Sequence, residues 1–124
     1  MTSTLRGCAL GTFALLLAAC ARDQYNRPQV RDANPEQGRL ALQAHECGVC
    51  HVIPGVRGAR GQVGPPLDAY SKRVYVAGKF PNTPRILVQW IQDAPSLAPQ
   101  TAMPAIAMTE AQARNMAAYL YTLD

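Results

Sequence analysis

The sequence predicts an all-α domain of three to four short helices joined by long Gly- and Pro-rich loops. Two observations carry that expectation: two N-cap-plus-Pro pairs and one capping box mark helix starts, and apolar residues recur behind them at helical spacing, with little strand-like alternation. Residues 54–66 and 95–105, rich in Gly and Pro, supply the loops. At 124 residues the chain holds about one domain, too little for a (β/α)₈ barrel. Only 16% of residues are charged and 48% are hydrophobic, a balance that argues against disorder. The net charge of +4 is moderate, so nucleic acid is not an expected partner.

Met1 to Cys20 opens on one basic residue, Arg6, and runs apolar from Cys8 to Ala19. That run is shorter than the roughly 20 residues a spanning helix needs, and it fits the core of a secretory signal peptide. It ends in Leu17-Ala18-Ala19-Cys20, which resembles the lipobox of bacterial lipoproteins. The resemblance implies residues 1–19 as signal, a diacylglyceryl group on the Cys20 sulfur, and attachment to the periplasmic side of a membrane. An ordinary signal peptide cut after Ala19 is the alternative. By the sorting rule of such lipoproteins, Ala21 after the Cys points to the outer membrane. With Arg6 removed, 11 basic face 8 acidic residues, a charge of +3.

After Cys20, residues 21–34 are polar with Val30 the single aliphatic outside Ala, so 20–34 reads as lipidated Cys and flexible tether. Such a coil spans roughly 20 Å root-mean-square. The domain occupies 35–124. Asn34-Pro35 opens its first helix, with Gly38, Ala41, Leu42 and His45 on one face. Thr83-Pro84 opens a second, with Ile86, Leu87, Trp90 and Ile91 as its stripe and Pro95 just past its expected end. Thr109 and Gln112 form the capping-box pattern of the last helix, followed by Ala113, Met116, Ala117 and Leu120. So few large aliphatics make a thin core for 90 residues. Something else is expected to fill the middle.

Cys47-Gly48-Val49-Cys50-His51 is the C-x-x-C-H pattern of covalent c-type haem attachment. Two thiols three residues apart at a helix end reach the two vinyl groups of one porphyrin, and the adjacent His51 lies beneath the iron as proximal ligand. Gly48 and Val49 need only avoid blocking the ring. Zinc would require ligands from a second segment, and no second C-x-x-C exists. A redox dithiol would require a βαβ context, and a plain disulfide leaves His51 unexplained. For the second axial position the candidates are His45, Met103 and Met108. His45 would have to cross the porphyrin plane. Met103 stands in the loop Thr101-Ala102-Met103-Pro104, free to lay its sulfur on iron. Met108 precedes the Thr109 cap, where packing as a hydrophobic staple is the alternative role. Met103 is the favoured ligand.

From Pro35 to Asp124 the chain resembles a small class I c-type cytochrome. The resemblance rests on the attachment pentad, on Gly64-Pro65-Pro66-Leu67 as the family's G-P-x-L loop, on Met103-Pro104, and on Ala118-Tyr119-Leu120 closing the last helix. It implies one covalent haem c, with Pro65 offering its backbone carbonyl to the free ring N–H of His51, and with Leu67 beside it in the haem pocket. It also implies Gly38 at the crossing of first and last helices, making room for Tyr119. Trp90 and Tyr75 are candidates to reach the haem propionates, with core packing as the alternative, and Arg73 is a candidate ion partner. The segment from Arg57 to Gly64 does not align with the family's loop.

An iron held by His and Met has no open position, so it passes single electrons, and no catalytic residue is expected. Met/His ligation also raises the reduction potential. Arg57, Arg60, Lys72, Arg73, Lys79 and Arg85 stand against one acid, Asp68. Such a run either steers the protein to an acidic face on a periplasmic redox protein or respiratory complex or is simply a solvated surface. The expected function is a membrane-tethered electron carrier. A fixed haem subunit of a larger oxidase or dehydrogenase is the alternative. A haem sensor or peroxidase, with Met103 leaving the iron, is less favoured because beyond His45 there is no spare His.

Overall fold

In the computed structural model, which describes residues 28–124, each helix starts where a side chain can take over an orphaned backbone N–H. Helix α1 (Pro35–Ala44) begins at Asn34, whose side chain accepts from the Gln37 N–H at 3.1 Å. Helix α2 (Pro84–Leu97) begins at Thr83, which accepts from Ile86. Helix α3 (Glu110–Leu120) carries the reciprocal box: Thr109 Oγ1 accepts from the Gln112 N–H at 3.2 Å, and Gln112 Oε1 accepts from the Thr109 N–H at 2.9 Å. Two 3₁₀ turns, Cys47–Val49 and Tyr70–Lys72, lie between α1 and α2. One element escaped the sequence reading, an antiparallel pair of β1 (Tyr75–Val76) and β2 (Phe80–Pro81) with Val76 opposite Phe80. Its turn places Ala77 at φ 52° and Gly78 at φ 68°, the left-handed pair of a hairpin turn. An Ala in the first of those positions gives little sequence signal.

Helices α1 and α3 cross at Gly38, as expected, but not for the expected reason. A Cβ on Gly38 would lie 1.9 Å from the backbone oxygen of Asn115, so the glycine admits the α3 backbone itself rather than Tyr119. The Tyr119 hydroxyl reaches elsewhere and donates to the Pro54 carbonyl at 2.7 Å. Around the crossing, Leu42, Ala113, Met116, Ala117 and Leu120 are buried, and Leu87 and Ile91 of α2 complete the core with Ile53, Val56, Tyr70 and Val76. Ala in an uncrowded helix is about 1 kcal/mol better than Gly. Gly38→Ala is nevertheless expected to lower stability by about 1–3 kcal/mol or more, the range for overpacking, as read from the denaturant midpoint. A gain would mean that the helices can part without penalty.

The domain's contacts begin before Pro35. Val30 packs against the core, Arg114 donates to the Arg31 carbonyl, and the Asn34 N–H donates to Asn115 Oδ1 at 2.8 Å. The end of the expected tether is thus held to the domain by one apolar side chain and by two hydrogen bonds between its backbone and α3 side chains, which composition does not register. Residues 1–19, Cys20 and the first part of the tether lie outside the described residues. Among the described residues, no helix is long and apolar enough to cross a membrane.

Candidate functional site

Between the core and one face of the molecule lies a half-open cavity of about 1130 Å³, large beside the roughly 300–1,000 Å³ of ordinary ligand pockets. It occupies the middle that the thin core leaves. Leu42, Leu87, Ile91, Ile106 and Leu120 make much of its wall apolar. Every site residue expected within the described part of the chain lines it: Cys47, Cys50, His51, Pro65, Leu67, Tyr75, Trp90 and Met103.

Local structure explains how the pentad is presented. Helix α1 stops at His45 because Glu46 turns left-handed at φ 55°, and the chain re-enters as the 3₁₀ turn Cys47–Val49. Cys47 and Cys50 are both half-buried free thiols. Burial pushes the Cys47 thiol above its ordinary range. Among the described residues no three His, Cys, Asp or Glu side chains form a metal-holding group, so the zinc reading gains no further ligands.

His51 Nδ1 lies 2.7 Å from the Pro65 carbonyl oxygen. A carbonyl can only accept, so Nδ1 carries the proton, and in the neutral ring Nε2 is then the nitrogen with the free lone pair. The loop bearing Pro65 is pinned by Gly64 N–H to the Cys50 carbonyl and Leu67 N–H to the Val52 carbonyl, both 2.8 Å. Gly64 itself is required: a Cβ there would lie 2.3 Å from His51 Cε1. Gly48 also needs a correction. It has to do more than clear the ring, since a Cβ there would lie 2.5 Å from Ala59 Cα. The unaligned segment forms a hairpin-like return, with Val52 bridged to Arg60 and the Gly61 N–H on the Gly48 carbonyl.

The candidates for a second ligand separate by position. Met103 lines the cavity, its N–H donating to Thr101 Oγ1 at 3.2 Å. Met108 packs against the core cluster, and Met116 is fully buried within it. His45 lies in the cavity wall, at the same end of α1 as the pentad. Trp90 stacks obliquely on Phe80, ring centres 6.1 Å apart, whereas Tyr75 is mostly exposed at the rim. Tyr70, missed by the sequence reading, forms part of the wall, and burial pushes its hydroxyl up to about 12.

The basic residues do not form one ring. Of the six, only Arg73 and Lys79 line the cavity, because the chain folds back on itself between Arg57 and Arg85. Arg73 is moreover engaged: it donates to the carbonyls of Pro66 and Asp68, lies 3.6 Å from the Asp68 carboxylate, and covers the Tyr70 ring. It braces the loop that holds His51.

The donor set and the cavity fit a haem. Two thiols sit beside an imidazole whose Nδ1 is already committed, a thioether shares their wall, and the enclosed surface is mainly apolar. Comparison with known proteins agrees. In structure the chain is similar to cytochrome c2 from Rhodobacter sphaeroides, with a TM-score of 0.50 and 23% identity, covering 74% of this chain and 97% of that one. In sequence it is 29% identical over 117 residues to cytochrome c oxidase subunit 2 of Alkalihalophilus pseudofirmus. That match covers 86% of this chain but only 33% of the relative, so the chain spans about a third of that protein's length. The family model for cytochrome c matches residues 35–124, the whole domain around the cavity, and the chain therefore belongs to the cytochrome c family, whose members carry covalently bound haem c.

Proposed function

We propose that this protein is a membrane-tethered periplasmic electron carrier, with one haem c held by thioethers from Cys47 and Cys50 and ligated by His51 and Met103. The observation that carries the reading is the 2.7 Å contact of His51 Nδ1 with the Pro65 carbonyl, on the cavity wall that Met103 shares. When bound, the haem supplies an iron that takes up and returns single electrons. His51 offers Nε2, and the Pro65 carbonyl keeps the ring in that orientation and raises its basicity. Met103 occupies the remaining position with a sulfur that favours the reduced state. Leu87, Ile91, Ile106 and Leu120 keep water from the site, which disfavours the extra positive charge of the ferric form. Pro65, Leu67, Tyr75 and Trp90 shape the pocket rather than react.

Docking follows the net positive charge, with Lys79 exposed at the cavity rim and Arg57, Arg60, Lys72 and Arg85 exposed on the surface. The partner would then present an acidic face, and association would weaken with salt. Attachment through lipidated Cys20 rests on the lipobox resemblance and is checked by fractionating Cys20→Ser cells. Loss of the protein from the membrane fraction supports the anchor.

Absorption spectra of the matured protein, ferric and ferrous, with and without carbon monoxide, test the haem site. A low-spin haem that ignores carbon monoxide is the expected result. A prompt shift of the ferrous spectrum would mean an open iron, and a sensor or enzyme instead. The likeness to an oxidase subunit favours a second reading, in which the domain is a fixed haem subunit of a respiratory oxidase. Stoichiometric co-purification with other subunits from solubilised membranes would decide for it.

A further inference from the structure

Helix α2 is broken at Asp93, whose φ of −149° and ψ of 72° are not helical. Pro95 explains why the helix cannot run straight on, since its ring removes an N–H and clashes with the carbonyl four residues back. It does not explain where the chain goes next. In an unbroken helix the Gln92 carbonyl would accept from the Ser96 N–H. Here Asp93 Oδ1 takes that N–H at 3.2 Å, and the Ser96 hydroxyl donates back to the Asp93 carbonyl at 2.7 Å. The Gln92 carbonyl is thereby released, and it accepts from the Ile106 N–H at 2.9 Å. Asp93 and Ala105 form an antiparallel bridge at the same place.

The segment so clamped carries Met103. The Thr101 N–H closes on the Ala98 carbonyl at 2.9 Å, and Leu97, Met103 and Ile106 all line the cavity. We infer that Asp93 is a positioning residue for Met103: by capping the restarted turn it frees the Gln92 carbonyl to fasten the methionine loop at its base. Asp93 itself does not line the cavity. This rests on the proposed ligation by Met103.

The test compares Asp93→Ala, Asp93→Asn and Asn34→Ala in the matured full chain, with Met103→Ala as reference. The readouts are the rate of carbon monoxide binding to the ferrous protein and hydrogen exchange at the Ile106 amide. Asn caps as well as Asp, so Asp93→Asn is expected to restore both. Asp93→Ala is expected to raise the carbon monoxide rate roughly five- to thirty-fold, the range for a lost cap, and to speed Ile106 exchange. Asn34→Ala removes a cap from α1 and is expected to leave the carbon monoxide rate unchanged. The inference is overturned if Asp93→Ala keeps the wild-type rate, or if Asn34→Ala raises it equally and the effect is one of general stability. If Met103→Ala does not admit carbon monoxide, the ligand assignment fails instead. Ile106 exchange then still decides whether Asp93 fastens the loop. Should Asp93→Ala not mature, Ser96→Ala, which removes only the returning hydroxyl bond, is expected to show the same changes to a smaller extent. Unchanged values there would likewise overturn it.

Discussion

Met103→Ala is expected to produce a haem protein that binds carbon monoxide promptly when reduced and has a markedly lower reduction potential. Both effects have one origin. The thioether sulfur favours ferrous iron, and axial ligation is what spreads haem potentials over about 0.8 V. Without the sulfur, water or an added ligand takes the position. Position favours this methionine over its neighbours, because Met103 lines the cavity while Met108 packs against the core and Met116 is buried within it. Potentiometric titration beside the carbon monoxide spectrum checks the prediction. If neither changes, Met103 is not the ligand, and Met108 would have to leave its packing to take that place.

Exchanging both Cys47 and Cys50 for Ala is expected to abolish covalent haem and, with it, the folded domain. The cavity is about 1130 Å³. It opens to one face and much of its wall is apolar, so without haem Leu42, Leu87, Ile91, Ile106 and Leu120 would border water instead of packing. Each large apolar side chain left exposed costs about 1.5–3 kcal/mol, against the ~5–15 kcal/mol stability of a whole domain. A chain that neither retains the group nor collapses around the space has little left to hold α1, α2 and α3 together. Circular dichroism of the double variant is expected to show lost helix, and acidified organic solvent to extract whatever haem remains. Single variants keep one thioether and are expected to retain haem in that extraction. Native helicity in the haem-free double variant would mean that the domain fills its own centre.

Whatever depends on neighbours three or four residues apart is legible in the residues alone. Asn34, Thr83 and Thr109 cap their helices because a short polar side chain reaches the N–H of the following turn in any context. The pentad names its own chemistry for the same reason, since two thiols and an imidazole at that spacing can serve one porphyrin. Whatever rests on one stretch of backbone meeting a distant one emerges only in the folded chain. Gly38 against Asn115, Gly48 against Ala59 and Gly64 against His51 are close approaches invisible to composition. The same holds for the Gln92 carbonyl turned to Ile106 by the break at Asp93. It holds too for the basic residues, adjacent in sequence yet only partly gathered at the cavity. Hydrogen bonds within a turn are written locally, whereas which surfaces share a wall is settled only when the whole chain closes around the space for the haem.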